Sequence, residues 1–286
     1  MIHYIFFALA AVFIGTIGLF VNLGGSSVNP FVLGFYRVFF GFLIIAAVTP
    51  LIDKDTIKTK NKNLKQNALI GFLFAFNFTG TNIAYLMSSM QSVAFILAMT
   101  PAFVLIFAYI LLGERITKTK VITLILALIG LFVLNPLRPE GLWGNVIALV
   151  VVATGGLMFT LMRKINMKET IGNVFWFFLF ASIFLLPMPF IFGFGELNWS
   201  IISLGVVSTG AAYLFYNLGY EGVEAEIGNL ITNIITPLTA TIFAILLLGE
   251  TVDIRIITGG AILVFAAIYL KTHLHGKKKH VHLRHG

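Results

Sequence analysis

Residues 100–114 read Thr-Pro-Ala-Phe-Val-Leu-Ile-Phe-Ala-Tyr-Ile-Leu-Leu-Gly-Glu, and residues 236–250 read Thr-Pro-Leu-Thr-Ala-Thr-Ile-Phe-Ala-Ile-Leu-Leu-Leu-Gly-Glu. The two stretches align without a gap and are identical at nine of fifteen positions, including the first two and the last four. A shared apolar composition alone gives far fewer matches. Recurrence at a fixed offset, here 136 residues, indicates a duplicated structural unit. The chain is therefore predicted to contain two copies of one unit.

The composition is that of a membrane protein. Of the 286 residues, 59% are hydrophobic and 10% are charged, and the mean hydropathy is +0.99, whereas soluble domains carry about 25% charged residues. The chain has no cysteine, which excludes disulfide bonds, thiolate metal sites and a cysteine nucleophile. No cleavable signal peptide is expected, because no Lys or Arg precedes the first apolar run.

Ten apolar runs are long enough to cross the hydrocarbon core, which takes about 20 helical residues. Continuous apolar runs favour helices over the alternating strands of a barrel. The predicted fold is an all-α integral membrane protein with ten transmembrane helices. The runs are 3–22, 30–52, 66–87, 90–112, 118–135, 143–162, 171–193, 200–220, 226–248 and 254–271.

The positive charges predict the orientation of these helices. If both termini are cytoplasmic, 16 of the 19 Lys and Arg residues fall in segments on the cytoplasmic side, as expected for an inner-membrane protein. The net charge of +8 is then an orientation signal, and no nucleic-acid partner is implied. The basic, histidine-rich tail at 273–286 is expected to lie on anionic lipid, with metal binding as a weaker alternative.

Because each unit has five helices, an odd number, the second copy enters the membrane in the orientation opposite to that of the first. We divide the chain into a first five-helix repeat, 1–137, and a second, inverted repeat, 138–272. Inverted repeats interconvert between inward-open and outward-open forms around a site near the midplane. The predicted architecture therefore indicates alternating-access transport.

The sequence resembles the EamA-like branch of the drug/metabolite transporter superfamily. The resemblance rests on the proline followed by Leu-Leu-Gly-Glu in the fourth and ninth helices, and on Phe35-Tyr36-Arg37 with Gly41 in the second. It implies ten helices around a central cavity lined by the first, third, fourth, sixth, eighth and ninth. The motifs do not specify the substrate, since the same pattern serves exporters of amino acids, other metabolites and drugs. The second repeat lacks a counterpart of Arg37.

Polar side chains within apolar helices predict the substrate site, because they are disfavoured against lipid. By the 136-residue offset, Asn77 corresponds to Tyr213 and Thr81 to Asn217. The alternative is interhelical hydrogen bonding, worth about 0.6 kcal/mol per bond, or simple close packing near Thr16. The candidate substrate-binding residues are Thr16, Asn77, Thr81, Tyr85, Tyr213, Tyr216, Asn217, Asn229 and Asn233.

Three further positions are assigned mechanical or electrostatic roles. Pro101 and Pro237 remove a backbone hydrogen bond and are predicted to act as gating hinges. Arg37 is placed in an outer vestibule, where it either snorkels or holds a carboxylate or a carbonyl. Glu114 and Glu250 end their helices and are interpreted as interfacial caps or ion-pair partners in preference to proton carriers.

The sequence thus predicts a transporter of a small amphiphilic metabolite, with amino acids and export favoured by the resemblance. No nucleotide-binding loop, hydrolase motif, metal site or cofactor is expected. The partners are the substrate, the bilayer and, as a candidate coupling ion, a proton; the protein is expected to be a monomer or homodimer. Multidrug or lipid-headgroup translocation is the alternative, and a membrane enzyme or sensor is the alternative from another class.

Overall fold

A computed structural model describes residues 2–52, 64–114, 118–134, 141–165, 171–220, 225–251, 253–262, 264–266 and 268–269. These residues form ten helical segments in chain order and contain no strand. The basic tail predicted at 273–286 lies outside them. The segments are α1 Ile2–Ser27, α2 Pro30–Ile52, α3 Leu64–Met87, α4 Met90–Leu112, α5 Lys118–Leu134, α6 Leu142–Lys164, α7 Ile171–Phe192, α8 199–220, α9 Ala225–Leu248 and α10 Ile254–Ala266.

Eight of these helices are long and apolar enough to cross a membrane; α5 and α10 are shorter within the described residues. Large apolar side chains cover the outside of the bundle: Leu246, Phe190 and Trp143 are each about 70% exposed. Such a surface suits lipid rather than water. The predicted all-α integral membrane fold is confirmed.

The main contacts between a helix of the first half and a helix of the second have counterparts in which the roles of the two halves are exchanged. Helix α4 packs on α6 as α9 packs on α1, and α3 packs on α6 and α7 as α8 packs on α1 and α2. Helix α2 packs on its counterpart α7. The duplicated sequence therefore produces a bundle in which each half supplies most of the other half's neighbours.

Close helix approaches recur at corresponding places in the two halves. A Cβ atom on Gly15 of α1 would lie 2.7 Å from Cβ of Thr239, and one on Gly156 of α6 would lie 2.6 Å from Cβ of Phe103. Thr239 and Phe103 are 136 residues apart. Small residues permit such contacts between membrane helices, so glycine sets the α1–α9 and α4–α6 distances.

Helices α1 and α7 each contain a turn, at Thr16 and Leu186, and two further helices depart from regular α geometry. Helix α4 consists of Met90–Leu97 and Thr100–Leu112, separated by a turn at Ala98 and Met99. Pro101 thus lies in the first turn of the second piece, where its missing N–H costs little. Helix α8 contains a π-helical stretch at Val206–Ala211, a geometry that often occurs at functional sites.

Candidate functional site

A cavity of about 80 Å³ lies between α3, α4, α6 and α8. It brings together Asn77 and Tyr213, the two residues that correspond under the repeat. The remaining lining is mostly apolar, as in most small-molecule sites. The described residues that line it are Phe74, Asn77, Leu97, Thr100, Val151, Val152, Gly155, Met158, Phe159 and Tyr213.

The amide of Asn77 is held in place by α6. Its Nδ2 donates to the carbonyl oxygen of Val151 at 2.8 Å and, more weakly, to Thr154 Oγ1 at 3.4 Å. Gly155 leaves room for this contact, because a Cβ there would lie 3.3 Å from Asn77 Nδ2. Asn77 therefore joins α3 to α6 and also presents its amide to the cavity.

Aromatic rings form the wall behind Tyr213. Its ring centroid lies 5.2 Å from that of Phe178, 5.8 Å from Phe74 and 6.0 Å from Phe78, all in edge-on arrangements. Edge-on contacts of this kind add stability beyond the area that they bury. The wall fixes the tyrosine ring, so that the cavity combines a phenol with apolar ring faces.

Thr100 and Leu97 place the break in α4 beside the cavity. A residue at position 101 would ordinarily donate its N–H to the Leu97 carbonyl, but proline has none. The hydroxyl of Thr100 donates to this oxygen instead, at 2.7 Å. The expected effect of Pro101 on its helix is thus present as a break that borders the cavity.

Arg37 is buried in the bundle and does not face a vestibule in this structure. Its side chain is 2% exposed, and its Nε donates to Thr209 Oγ1 at 3.0 Å. Nη1 donates to Asn82 Oδ1 at 2.8 Å and to the Phe78 carbonyl at 3.4 Å. The guanidinium carbon also lies 4.6 Å from the Phe78 ring centroid, a cation–π distance. Arg37 thereby joins α2, α3 and the π-helical part of α8.

Several other candidates hydrogen-bond within the bundle. The Thr16 and Ser208 hydroxyls lie 2.6 Å apart. Thr81 donates to its own helix at the Asn77 carbonyl, 2.7 Å away, and Asn217 Nδ2 donates likewise to the Tyr213 carbonyl at 2.8 Å. Of these three contacts only the one between Thr16 and Ser208 joins two helices, as in the alternative of interhelical hydrogen bonding.

Four further candidates also lie outside the cavity lining. Tyr85 is buried, and the Tyr216 ring lies edge-on to Phe7. On α9, Asn233 is half-buried and Pro237 is buried within a continuous helix. Asn229 belongs to the same helix, but its side chain lies outside the described part of the chain.

Sequence reasoning did not select Thr100 or the α6 residues as cavity lining. Thr100 opens the repeated stretch and corresponds to Thr236 on α9. Gly155 corresponds to Gly15 at an offset of 140 residues. Comparison of the two halves at every polar or small position would have found both residues.

The two glutamates at helix ends have different partners. Glu114 forms an ion pair with Arg163 of α6. Glu250 accepts a hydrogen bond from the Met90 N–H at 2.8 Å and a longer one from the Gln91 N–H at 3.5 Å. Glu250 therefore caps the beginning of α4, where the helix dipole favours negative charge.

Comparisons with known proteins agree with this architecture. A protein of Archaeoglobus fulgidus described as an uncharacterized transporter is 30% identical over 264 residues, covering 90% of this chain and 91% of its own length. S-adenosylmethionine uptake transporter of Rickettsia prowazekii is 20% identical, covering 91% and 88%. A solved crystal structure that is 16% identical superposes with a TM-score of 0.65, covering 93% of this chain and 95% of its own.

The family model matches almost the whole chain. It covers residues 1–135 and 142–272, which include both copies of the repeated stretch and every residue that lines the cavity. The chain therefore belongs to the EamA-like transporter family.

Proposed function

We propose that this multi-pass transporter carries an amino-acid-type metabolite by alternating access around the cavity, in the direction of export. One observation carries the proposal: the cavity lies between the halves and is lined by Asn77 and Tyr213, which occupy corresponding positions. Membership of a transporter family supports transport and not membrane enzymology.

The lining suits a solute with a polar head and an apolar part. Asn77, Thr100 and Tyr213 supply amide, hydroxyl and phenol groups, whereas Phe74 and Phe159 supply ring faces. A few placed polar groups in an apolar pocket orient a small ligand. Amino acids and their derivatives, which include S-adenosylmethionine, have this combination.

We infer from the size of this cavity that the described conformation is a closed stage of the cycle. Its volume of about 80 Å³ is well below the roughly 300 Å³ at which pockets for small organic ligands begin. Substrate entry therefore requires the helices around the cavity to separate. The break in α4 beside Leu97 and Thr100 is the point at which we expect that movement.

Exchange of the halves predicts where the cavity lies in the opposite state. Under the repeat, Leu97 corresponds to Asn233, Thr100 to Thr236, and Gly155 to Gly15. In the described conformation this second position is closed, because Thr236 Oγ1 donates to the Ala11 carbonyl at 3.2 Å and Gly15 packs on Thr239. The polar residues Asn233 and Thr236 of α9 would line the substrate path when α1 and α9 separate.

We further propose an inner-membrane location with both termini in the cytoplasm, so that Glu114 lies at the inner end and Glu250 at the outer end. The distribution of Lys and Arg supports this orientation. A proton is the proposed coupling ion, with facilitated diffusion as the alternative. The proposed oligomeric state is a monomer or homodimer.

Reconstitution into proteoliposomes tests the substrate class. We expect labelled neutral amino acids or S-adenosylmethionine to exchange across the vesicle membrane faster than in protein-free vesicles. Imposed pH gradients of either sign, with rates measured in both directions, separate proton coupling from facilitated diffusion and export from uptake. Failure to move any amino acid or derivative, while an organic cation or a fluorescent lipid moves, would favour multidrug or lipid-headgroup translocation instead.

The absence of cysteine in this chain makes it suited to a labelling test of the exchanged cavity. Leu97→Cys and Asn233→Cys are each introduced singly and treated with a membrane-impermeant thiol reagent from one side of the vesicle. We expect a transported substrate to change the two labelling rates in opposite directions. Leu197→Cys, exposed in the segment that joins α7 to α8, is the control that substrate should not affect.

A further inference from the structure

Arg37 carries a buried positive charge, and the residues that the structure describes offer it no negative partner. Its hydrogen-bond acceptors are a hydroxyl, an amide and a carbonyl, all of them neutral. Among the residues that the structure describes, no carboxylate lies within ion-pairing distance of it. Neutral acceptors satisfy the N–H groups but leave the net charge uncompensated, which is unfavourable within a membrane bundle.

An additional donor lies next to this charge. Asn82 is fully buried; its Oδ1 accepts the bond from Arg37, while its Nδ2 has no hydrogen-bond partner among the described residues. A buried donor without a partner is costly and usually indicates a role. The guanidinium and this amide are both suited to an acceptor that carries negative charge.

The charge lies one aromatic layer away from the cavity. Arg37 stacks on the Phe78 ring, Phe78 contacts Tyr213 edge-on at 6.0 Å, and Tyr213 lines the cavity. Because a membrane bundle has a low effective dielectric constant, a charge at this distance still acts on a ligand in the cavity.

We propose that Arg37 makes the transporter selective for substrates that carry a carboxylate. The carboxylate lies at the Phe78 and Tyr213 side of the cavity, nearest the guanidinium and the free Asn82 amide. The rest of the substrate lies toward Met158 and Phe159. This inference rests on the proposed transport of amino-acid-type solutes and specifies the group that is recognised.

The test compares amino acids with the amines that lack only the carboxylate. The pairs are phenylalanine with phenethylamine, leucine with isoamylamine, and methionine with 3-methylthiopropylamine, each measured as an initial exchange rate in proteoliposomes. We expect the wild type to prefer the amino acid by at least about tenfold, a typical electrostatic discrimination between partners. Arg37→Lys should keep this preference, and Arg37→Met should reduce it to near parity.

A matched variant separates the proposed role of Arg37 in substrate selectivity from its role in joining helices. Thr209→Val removes the acceptor of the Nε bond but keeps the charge, so it should lower the thermal midpoint without changing the preference. A folded Arg37→Met variant with wild-type preference would show that Arg37 only joins helices. If Arg37→Met does not fold, the wild type still decides, because equal rates for amino acid and amine overturn the proposal. If the wild type moves neither amino acids nor amines, the proposed substrate class fails instead.

Discussion

At their C-terminal ends the two copies of the repeated stretch have the same local structure. Gly113 and Gly249 adopt positive φ values of 66° and 67°, and the N–H groups of Glu114 and Glu250 donate to the Ala108 and Ala244 carbonyls at 3.3 and 3.0 Å. A left-handed glycine closing a helix in this way satisfies carbonyls that would otherwise lack partners. The shared sequence Leu-Leu-Gly-Glu thus forms the same C-terminal helix cap in both copies.

At their N-terminal ends the copies differ. Pro101 follows a break in α4, and Thr100 donates to the Leu97 carbonyl of its own helix; Pro237 lies inside a continuous α9, and Thr236 donates across to Ala11 of α1. The same Thr-Pro pair therefore borders a cavity in one half and a closed contact in the other. The identical Thr-Pro pair therefore does not fix the local conformation, which depends on how each half packs in the bundle.

The largest expected effect concerns the close helix approaches in both halves. Gly15→Leu and Gly156→Leu each force a side chain into a space occupied by Thr239 or Phe103, at a cost of about 1–3 kcal/mol. We expect both variants to lose yield and thermal stability in detergent, measured by the melting of purified protein. Gly113→Asn is the control, because nothing lies within 4 Å of that position and asparagine tolerates positive φ. Normal stability in only one of the leucine variants would show that the two contacts are not equivalent.

The next effect tests whether Asn77 and Tyr213 serve transport as a pair. Asn77→Ala and Tyr213→Phe should each reduce the initial transport rate by about tenfold, or about 1.4 kcal/mol, because each removes a polar group from the cavity. The thermal midpoint of Tyr213→Phe should stay near that of the wild type, whereas Asn77→Ala, which also loses the bond to Val151, should be lower by about 0.6 kcal/mol of stability. Tyr109→Phe, on the exposed face of α4, is the control. Wild-type rates in both cavity variants would remove these residues from the substrate path.

Replacement of the two capping glycines tests the shared end of the copies. Gly113→Ala and Gly249→Ala place a Cβ on a left-handed residue, which costs about 1–2 kcal/mol. The expected loss of stability is the same for both positions, since no neighbouring atom lies within 4 Å of either. Thermal melting of the two variants side by side provides the measurement. A clear difference between them would mean that the caps depend on their surroundings.

The smallest expected effect separates the two glutamates. Glu250→Gln should lower stability by about 0.3–1 kcal/mol, because the carboxylate interacts with the beginning of α4. Glu114→Gln should have a smaller effect that disappears at high salt, since Glu114 and Arg163 are 34% and 52% exposed and exposed ion pairs contribute little. Melting at low and high ionic strength distinguishes the two. A salt-sensitive Glu114→Gln effect larger than that of Glu250→Gln would reverse this assignment.

Much of the fold could be predicted because membrane helices leave a strong signal. The apolar runs predicted each helical segment, and Gly15 and Gly156 indicated close packing because small residues permit it. The cavity could be predicted only in part. Asn77 and Tyr213 are polar residues in apolar helices, whereas Thr100, Val151 and Gly155 line the cavity through the relative positions of α4 and α6.

Arg37 shows most clearly what could not be predicted from the sequence. Its position two turns into α2 suggested a vestibule, but the bundle surrounds it with Thr209, Asn82 and Phe78 from helices distant in the sequence. Which groups meet a long side chain depends on the packing of several helices, and no local pattern encodes that packing.

By itself, the sequence determined the membrane-spanning class and the duplication, because the first follows from local hydrophobicity and the second from the repeated residues themselves. Only the tertiary structure decided that Glu250 caps α4 while Glu114 pairs with Arg163, that one Thr-Pro pair borders a cavity, and that Arg37 lies buried beside it. The physical reason is that two nearly identical segments encounter different neighbours once the halves pack against each other. Hydrogen bonds and charges are then satisfied by whichever groups those neighbours supply.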